Sequence, residues 1–119
     1  IDNKTQIGTF VEVKNSNIGS NCKINHLTFI GDTEIKSNVI IGAGTVTCNF
    51  DGRKNQHTYI EKDAFIGSGV FLVAPLTVGK GATIGSGSVI TEDVPSKKLT
   101  LARSRQITIK EWKGPATRS

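Results

Sequence analysis

Two histidines, two cysteines and an uneven scatter of lysines and arginines are the residues of this chain best suited to chemistry. Histidine is the usual general base near neutral pH. His26 sits in Ile24-Asn25-His26-Leu27-Thr28-Phe29-Ile30. There a solvent-facing position needs no imidazole, and a core position wants an aliphatic side chain. His57 lies among Asn55, Gln56 and Thr58, where a solvated ring is the default, and no role is assigned to it. Cys22 and Cys48 form no Cys-x-x-Cys pair and no Cys/His cluster, so metal binding and a disulfide are poorly supported. Both read as small core thiols.

The cations are concentrated at one end. Residues 96–119 hold seven Lys/Arg against one Glu, which leaves residues 1–95 close to neutral within a net charge of +5. Such an arm suits a phosphate-bearing ligand, an acidic lipid surface or nucleic acid, and no aromatic interleaving favours nucleic acid. The longest apolar run, Val70 to Ala74, is too short to span a bilayer, and no basic-then-apolar export signal opens the chain. A cytoplasmic protein without membrane insertion is expected.

The elements that must position these groups announce themselves by a repeat of six. Branched apolar residues recur at Ile18, Ile24 and Ile30, then at Ile35 and Ile41, and from Ile60 through Ile66, Leu72, Val78, Ile84 and Ile90. A second small or apolar residue follows four places later at Ala64, Val70, Leu76, Ala82 and Ser88. Strands alternate with period two and helices with 3.6, so this spacing fits short strands joined by corners, three units to a triangular coil. The interval from Ile41 to Ile60 reads as one coil plus one residue, with the polar segment 49–58 thrown out as a loop. The fold expected is all-β, a parallel β-helix over residues 1–95, followed by a basic arm over 96–119 with a short helix near Thr108 to Trp112. With one histidine in a loop, the two imidazoles fall short of the three that a hexapeptide-repeat carbonic anhydrase needs for zinc, and no metal site is expected.

The stretches Asn25-His26-Leu27-Thr28-Phe29-Ile30-Gly31-Asp32 and Ile41-Gly42-Ala43-Gly44-Thr45-Val46-Thr47-Cys48-Asn49-Phe50-Asp51-Gly52 carry a more specific signal. With Val73-Ala74-Pro75 and Arg103-Ser104-Arg105-Gln106, they resemble the C-terminal acetyltransferase domain of the bifunctional N-acetylglucosamine-1-phosphate uridyltransferase/glucosamine-1-phosphate N-acetyltransferase family. The resemblance implies a left-handed β-helix, whereas parallel crossovers in general are right-handed. It implies acetyl transfer from acetyl-CoA to the amine of glucosamine 1-phosphate, a step toward UDP-N-acetylglucosamine, peptidoglycan and lipopolysaccharide. It also implies a homotrimer with the site between subunits, consistent with flat faces that carry few charges.

Carried over residue by residue, the resemblance makes His26 the catalytic base and Lys14 the cation for the sugar phosphate. Phe29, Ile40 and Asn49 take the remaining acceptor positions. Ala43, Asn49, Phe50, Ser68, Ser86 and Arg103 take those that hold acetyl-CoA, whose phosphates give the basic arm a use. Glu12 is a candidate to orient the imidazole. The pattern departs at three places: Phe29 and Phe50 stand where tyrosine is typical, and Ile40 stands where an asparagine contacts the acceptor. Each change removes a hydrogen-bonding group, worth about 0.5–1.5 kcal/mol to a bound polar ligand. A hexapeptide acetyltransferase for another amino sugar or amine, and a non-catalytic β-helix scaffold, stay open as alternatives. The uridyltransferase half has no counterpart in this chain, which reads as a piece of a longer, bifunctional protein.

Overall fold

The computed structural model describes residues 1–115, so the last four residues of the expected basic arm lie outside it. Among the described residues, fifteen short strands wind in regular order. The first coil holds β1 (Gln6–Ile7), β2 (Glu12–Lys14) and β3 (Asn17–Ile18), and the second β4 (Lys23–Ile24), β5 (Phe29–Gly31) and β6 (Thr33–Ile35). The third holds β7 (Ile40–Ile41), β8 (Val46–Cys48) and β9 (Thr58–Ile60), and the fourth β10 (Phe65–Ile66), β11 (Phe71–Val73) and β12 (Leu76–Val78). β13 (Thr83–Ile84), β14 (Val89–Ile90) and β15 (Leu99–Thr100) complete the winding.

Each strand pairs in parallel with its counterpart one coil away, which gives three faces. The first face is β1-β4-β7-β10-β13-β15, the second β2-β5-β8-β11-β14 and the third β3-β6-β9-β12. The hexapeptide aliphatics become vertical columns inside this prism. Ile7, Ile24, Ile41, Ile66 and Ile84 stand in register on the first face, and Ile18, Ile35, Ile60 and Val78 on the third. The second residues of the repeat, four places later, are buried as well: Ala64, Val70, Leu76, Ala82 and Ser88. Full burial of one such aliphatic contributes about 1.5–3 kcal/mol, so a column of them holds the coils together despite strands of two or three residues.

Three expectations need correcting. Ile41 and Ile60 do not stack: Ile41 pairs with Ile66 on the first face and Ile60 with Ile35 on the third. The interval between them is therefore two face-to-face steps plus an insertion, which is the loop between β8 and β9. Lower coils fall short of three full hexapeptides because the step from the second face to the third is one residue shorter there. It runs from Val13 to Ile18 and from Ile30 to Ile35, around left-handed Asn15 and Asp32. No helix forms near Thr108 to Trp112; Lys110–Glu111 is a turn in a stretch, 101–115, otherwise without regular structure. Ile107, Ile109 and Trp112 stay largely exposed there, so no apolar face is buried to offset the cost of helix nucleation.

The winding also continues past the point where the six-residue spacing breaks. β15 pairs with β13 on the first face, and an isolated parallel bridge joins Val94 to Val78 on the third. No helix among the described residues is long and apolar enough to cross a membrane.

Candidate functional site

The edge between the first and second faces stacks one small motif per coil. Leu27 N–H donates to Thr9 O (3.1 Å), Gly44 N–H to His26 O (3.1 Å), Gly69 N–H to Ala43 O (2.8 Å) and Gly87 N–H to Ser68 O (2.9 Å). Thr9, His26, Ala43, Ser68 and Ser86 thereby form a single vertical row. Arg103 joins it from the chain segment that follows β15, its Nη1 donating to Ser86 O at 2.6 Å. Ser86 Oγ accepts from Ser68 N–H at 3.0 Å. Gly42 permits the closeness of this stacking, because a Cβ there would lie 2.5 Å from Ser68 N.

His26 is exposed on this row, and its ring makes no hydrogen bond among the described residues. Ala43 N–H likewise has no acceptor among them. Glu12 sits on β2 opposite Phe29, and its carboxylate makes no hydrogen bond to His26.

Beside the row, the outer side of the second face forms an open cleft of about 390 Å³. Lys14, Phe29, Asn49 and Phe50 line it, together with Asp32 and Asn55. The loop overhangs it through an antiparallel bridge between Phe50 and Asn55. Two interlocked contacts tie the loop root: Gln56 N–H donates to Asn49 O at 2.7 Å, and Asn49 Nδ2 to Gln56 O at 3.0 Å. Asn49 Oδ1 is buried and without a partner among the described residues.

The loop tip is organised by Asp51. Its carboxylate accepts from the amides of Arg53 (2.9 Å) and Lys54 (3.0 Å) and from Gln56 Nε2 (2.8 Å). These bonds, the Lys54 amide first, favour the charged form and hold its pKa down at about 2.

Asp32 and Cys48 are cleft residues that the repeat does not flag. Asp32 is almost fully buried; its Oδ1 accepts from Asn15 Nδ2 at 2.6 Å, and its carbonyl from Thr58 N–H at 3.1 Å. His57 Nδ1 also lies 3.2 Å from that carbonyl. A charged residue at the shortened step between faces is the available signal. Cys48 is not a core thiol: Thr47 takes the inward position of β8, so Cys48 points out and lines the cleft. Cys22 is buried, with its thiol donating to Lys36 O. Ile40 stands apart, on the outer side of the first face, lining a different cleft with Lys4, Gln6 and Lys23. One chain therefore does not bring Ile40 to Phe29 and Phe50.

Comparison with known proteins agrees with this fold. Residues 57–92 match the bacterial transferase hexapeptide (six repeats) model. The chain is 56% identical over 115 residues to the bifunctional protein GlmU of Nitrosomonas eutropha, covering 97% of this chain and 25% of that protein. It is 58% identical to the GlmU protein of Herminiimonas arsenicoxydans, covering 92% and 24%. The chain thus spans about a quarter of the length of the relatives it matches. Among solved structures, the hexapeptide-repeat acetyltransferase VCA0836 of Vibrio cholerae, in complex with acetyl coenzyme A, shares the fold at TM-score 0.71 and 24% identity, covering 81% of this chain and 62% of that one. The maltose O-acetyltransferase of Clostridium difficile 630 does so at TM-score 0.67 and 22% identity, covering 82% and 64%.

Proposed function

We propose that this chain is the acetyltransferase part of a bifunctional enzyme and moves acetyl from acetyl-CoA to the amine of glucosamine 1-phosphate. One observation carries the reading: His26, Ala43, Ser68, Ser86 and Arg103, far apart in the sequence, stand in one row beside a cleft lined by Lys14 and Asn49. The identity to GlmU proteins supports it, and so does the bound acetyl coenzyme A of the Vibrio cholerae structure.

In the proposed reaction the acceptor's amine nitrogen attacks the thioester carbonyl carbon, and His26 takes the proton that the nitrogen sheds. The carbonyl oxygen gains negative charge, and the unpaired N–H of Ala43, one coil from His26, is the donor suited to receive it. The carbon–sulfur bond then breaks, and the imidazolium returns its proton to the departing thiolate. Arg103 and the basic arm meet the phosphates of CoA, and Lys14 meets the sugar phosphate.

The acting form is a homotrimer with each site between subunits. Exposed Ile40, Phe65 and Leu99 on the first face and Phe71 and Val89 on the second offer the apolar area such contacts bury. A partner's first face would also supply the wall that one chain lacks. A cytoplasmic setting, where acetyl-CoA is made, fits this donor.

The test is thiol release from acetyl-CoA with glucosamine 1-phosphate, glucosamine and glucosamine 6-phosphate as acceptors. The highest kcat/KM belongs to the 1-phosphate; no thiol release with any of the three would overturn the reading. Phe29 and Phe50 in the cleft favour a second reading, transfer to a less hydroxylated amino sugar, and an indifferent response to the 1-phosphate would support it. Light scattering that gave a monomer would remove the trimer.

A further inference from the structure

The edge that carries His26 has a second row, one residue further along each coil, and every member is left-handed: Phe10 (φ 57°), Leu27 (φ 59°), Gly44 (φ 74°), Gly69 (φ 64°) and Gly87 (φ 77°). The upper three are glycines, for which this conformation carries no steric penalty. No atom lies within 4 Å of the point a Cβ would occupy at Gly69 or Gly87, so this half of the edge is open. At the coil of His26 the row changes character. Leu27 and Phe10 carry the strain of a non-glycine left-handed residue, yet they are 61% and 81% exposed. Other corners of the fold, Lys4 and Lys97 among them, are left-handed without glycine as well, so what sets Leu27 and Phe10 apart is a large apolar side chain left exposed beside His26.

We propose that Leu27, backed by Phe10, is the stop that sets the length of acyl group the enzyme accepts. This rests on the acetyl transfer proposed above. A thioester laid along this open edge from Arg103 past Ser86, Ser68 and Ala43 reaches His26 with its carbonyl, at about 4.8 Å of travel per coil. The next atoms along the acyl chain then meet Leu27. Glycine above leaves room for the donor, and leucine below leaves room for a methyl group and no more. An apolar wall also suits this end, because an acyl chain offers nothing to hydrogen-bond.

The experiment compares kcat/KM for acetyl-CoA, propionyl-CoA and butyryl-CoA, with glucosamine 1-phosphate as acceptor, in the wild-type protein and in Leu27→Gly and Leu27→Phe. Glycine suits φ 59°, so Leu27→Gly keeps the backbone. The readout is the ratio of propionyl to acetyl turnover, which rises about tenfold in Leu27→Gly, as expected when space for one methylene opens, and falls in Leu27→Phe. An unchanged ratio in a folded Leu27→Gly protein would overturn the stop. An unchanged ratio together with a lost trimer would overturn it too, and would make Leu27 a contact between copies. If the wild-type protein releases no thiol from acetyl-CoA, the acetyl-transfer reading itself fails and the stop falls with it.

Discussion

Arg103 Nη1 lies 2.6 Å from the carbonyl oxygen of Ser86, so the basic arm is tied to the edge that carries His26. The contact places a guanidinium, with further donors to spare, at the upper end of the row. Arg103→Ala is expected to raise KM for acetyl-CoA about tenfold, the loss of one charge-assisted hydrogen bond, with a much smaller change in kcat. Arg103→Lys falls between, since a point charge replaces the planar fork. The wild-type KM rises with ionic strength and that of Arg103→Ala does so less, which steady-state kinetics at graded salt will show.

His26→Ala leaves the fold untouched, because the ring is exposed and unbonded and only its backbone enters the ladder. Loss of the proposed base is expected to lower kcat by about a hundredfold to ten-thousandfold, with an unchanged circular dichroism spectrum. Retained turnover would move the base elsewhere.

The residues that set this site differ in how far the sequence betrays them. The columns of Ile24, Ile41, Ile66 and Ile84 are legible because a solenoid repeats one packing requirement at fixed spacing. The interval from Ile41 to Ile60 misleads because it is close to the length of one coil; only the cross-coil pairing of Ile60 with Ile35 shows which face each residue occupies. Asp32 and Cys48 escape for a related reason. Their place in the cleft depends on which way a three-residue strand faces and on a corner one residue short, and neither follows from the period of six. His26, Lys14 and Asn49 are found by motif spacing, while the unpaired N–H of Ala43 and the left-handed Leu27 belong to backbone geometry alone.

Asp51 makes the loop sensitive to acid. Its pKa falls from 3.8 to about 2 on folding, so its support is complete above about pH 4 and is lost as pH falls through about 2. The amide resonances of Arg53 and Lys54 should therefore titrate with a midpoint near that of Asp51 in a nuclear magnetic resonance series. Asp51→Asn imitates the protonated state at neutral pH. It is expected to speed trypsin cleavage at Arg53 and Lys54 and to raise KM for the acceptor through the misplaced Phe50 and Asn55. Unchanged cleavage would mean that the Phe50–Asn55 bridge and Asn49 hold the loop without it.

Thr47 tests how the core supports the cleft. It takes an inward position, in register with Leu72, in the column that also holds Ile30 and Ile90. Its hydroxyl oxygen accepts from Gly31 N–H at 2.8 Å. A valine fills nearly the same volume but cannot accept that bond, so Thr47→Val leaves a buried amide unpaired at a cost of about 1–3 kcal/mol. The expected result is a fall in melting temperature of about 4 °C or more. Gly31 leads directly into Asp32, whose backbone anchors both Lys14 and the end of the loop through Asp32 N–H to Lys14 O (3.0 Å) and Thr58 N–H to Asp32 O. The same substitution is therefore expected to raise KM for the sugar acceptor more than KM for acetyl-CoA, whose row lies on the neighbouring edge. Equal changes in the two constants would show that the cleft wall and the edge respond to the core as one body.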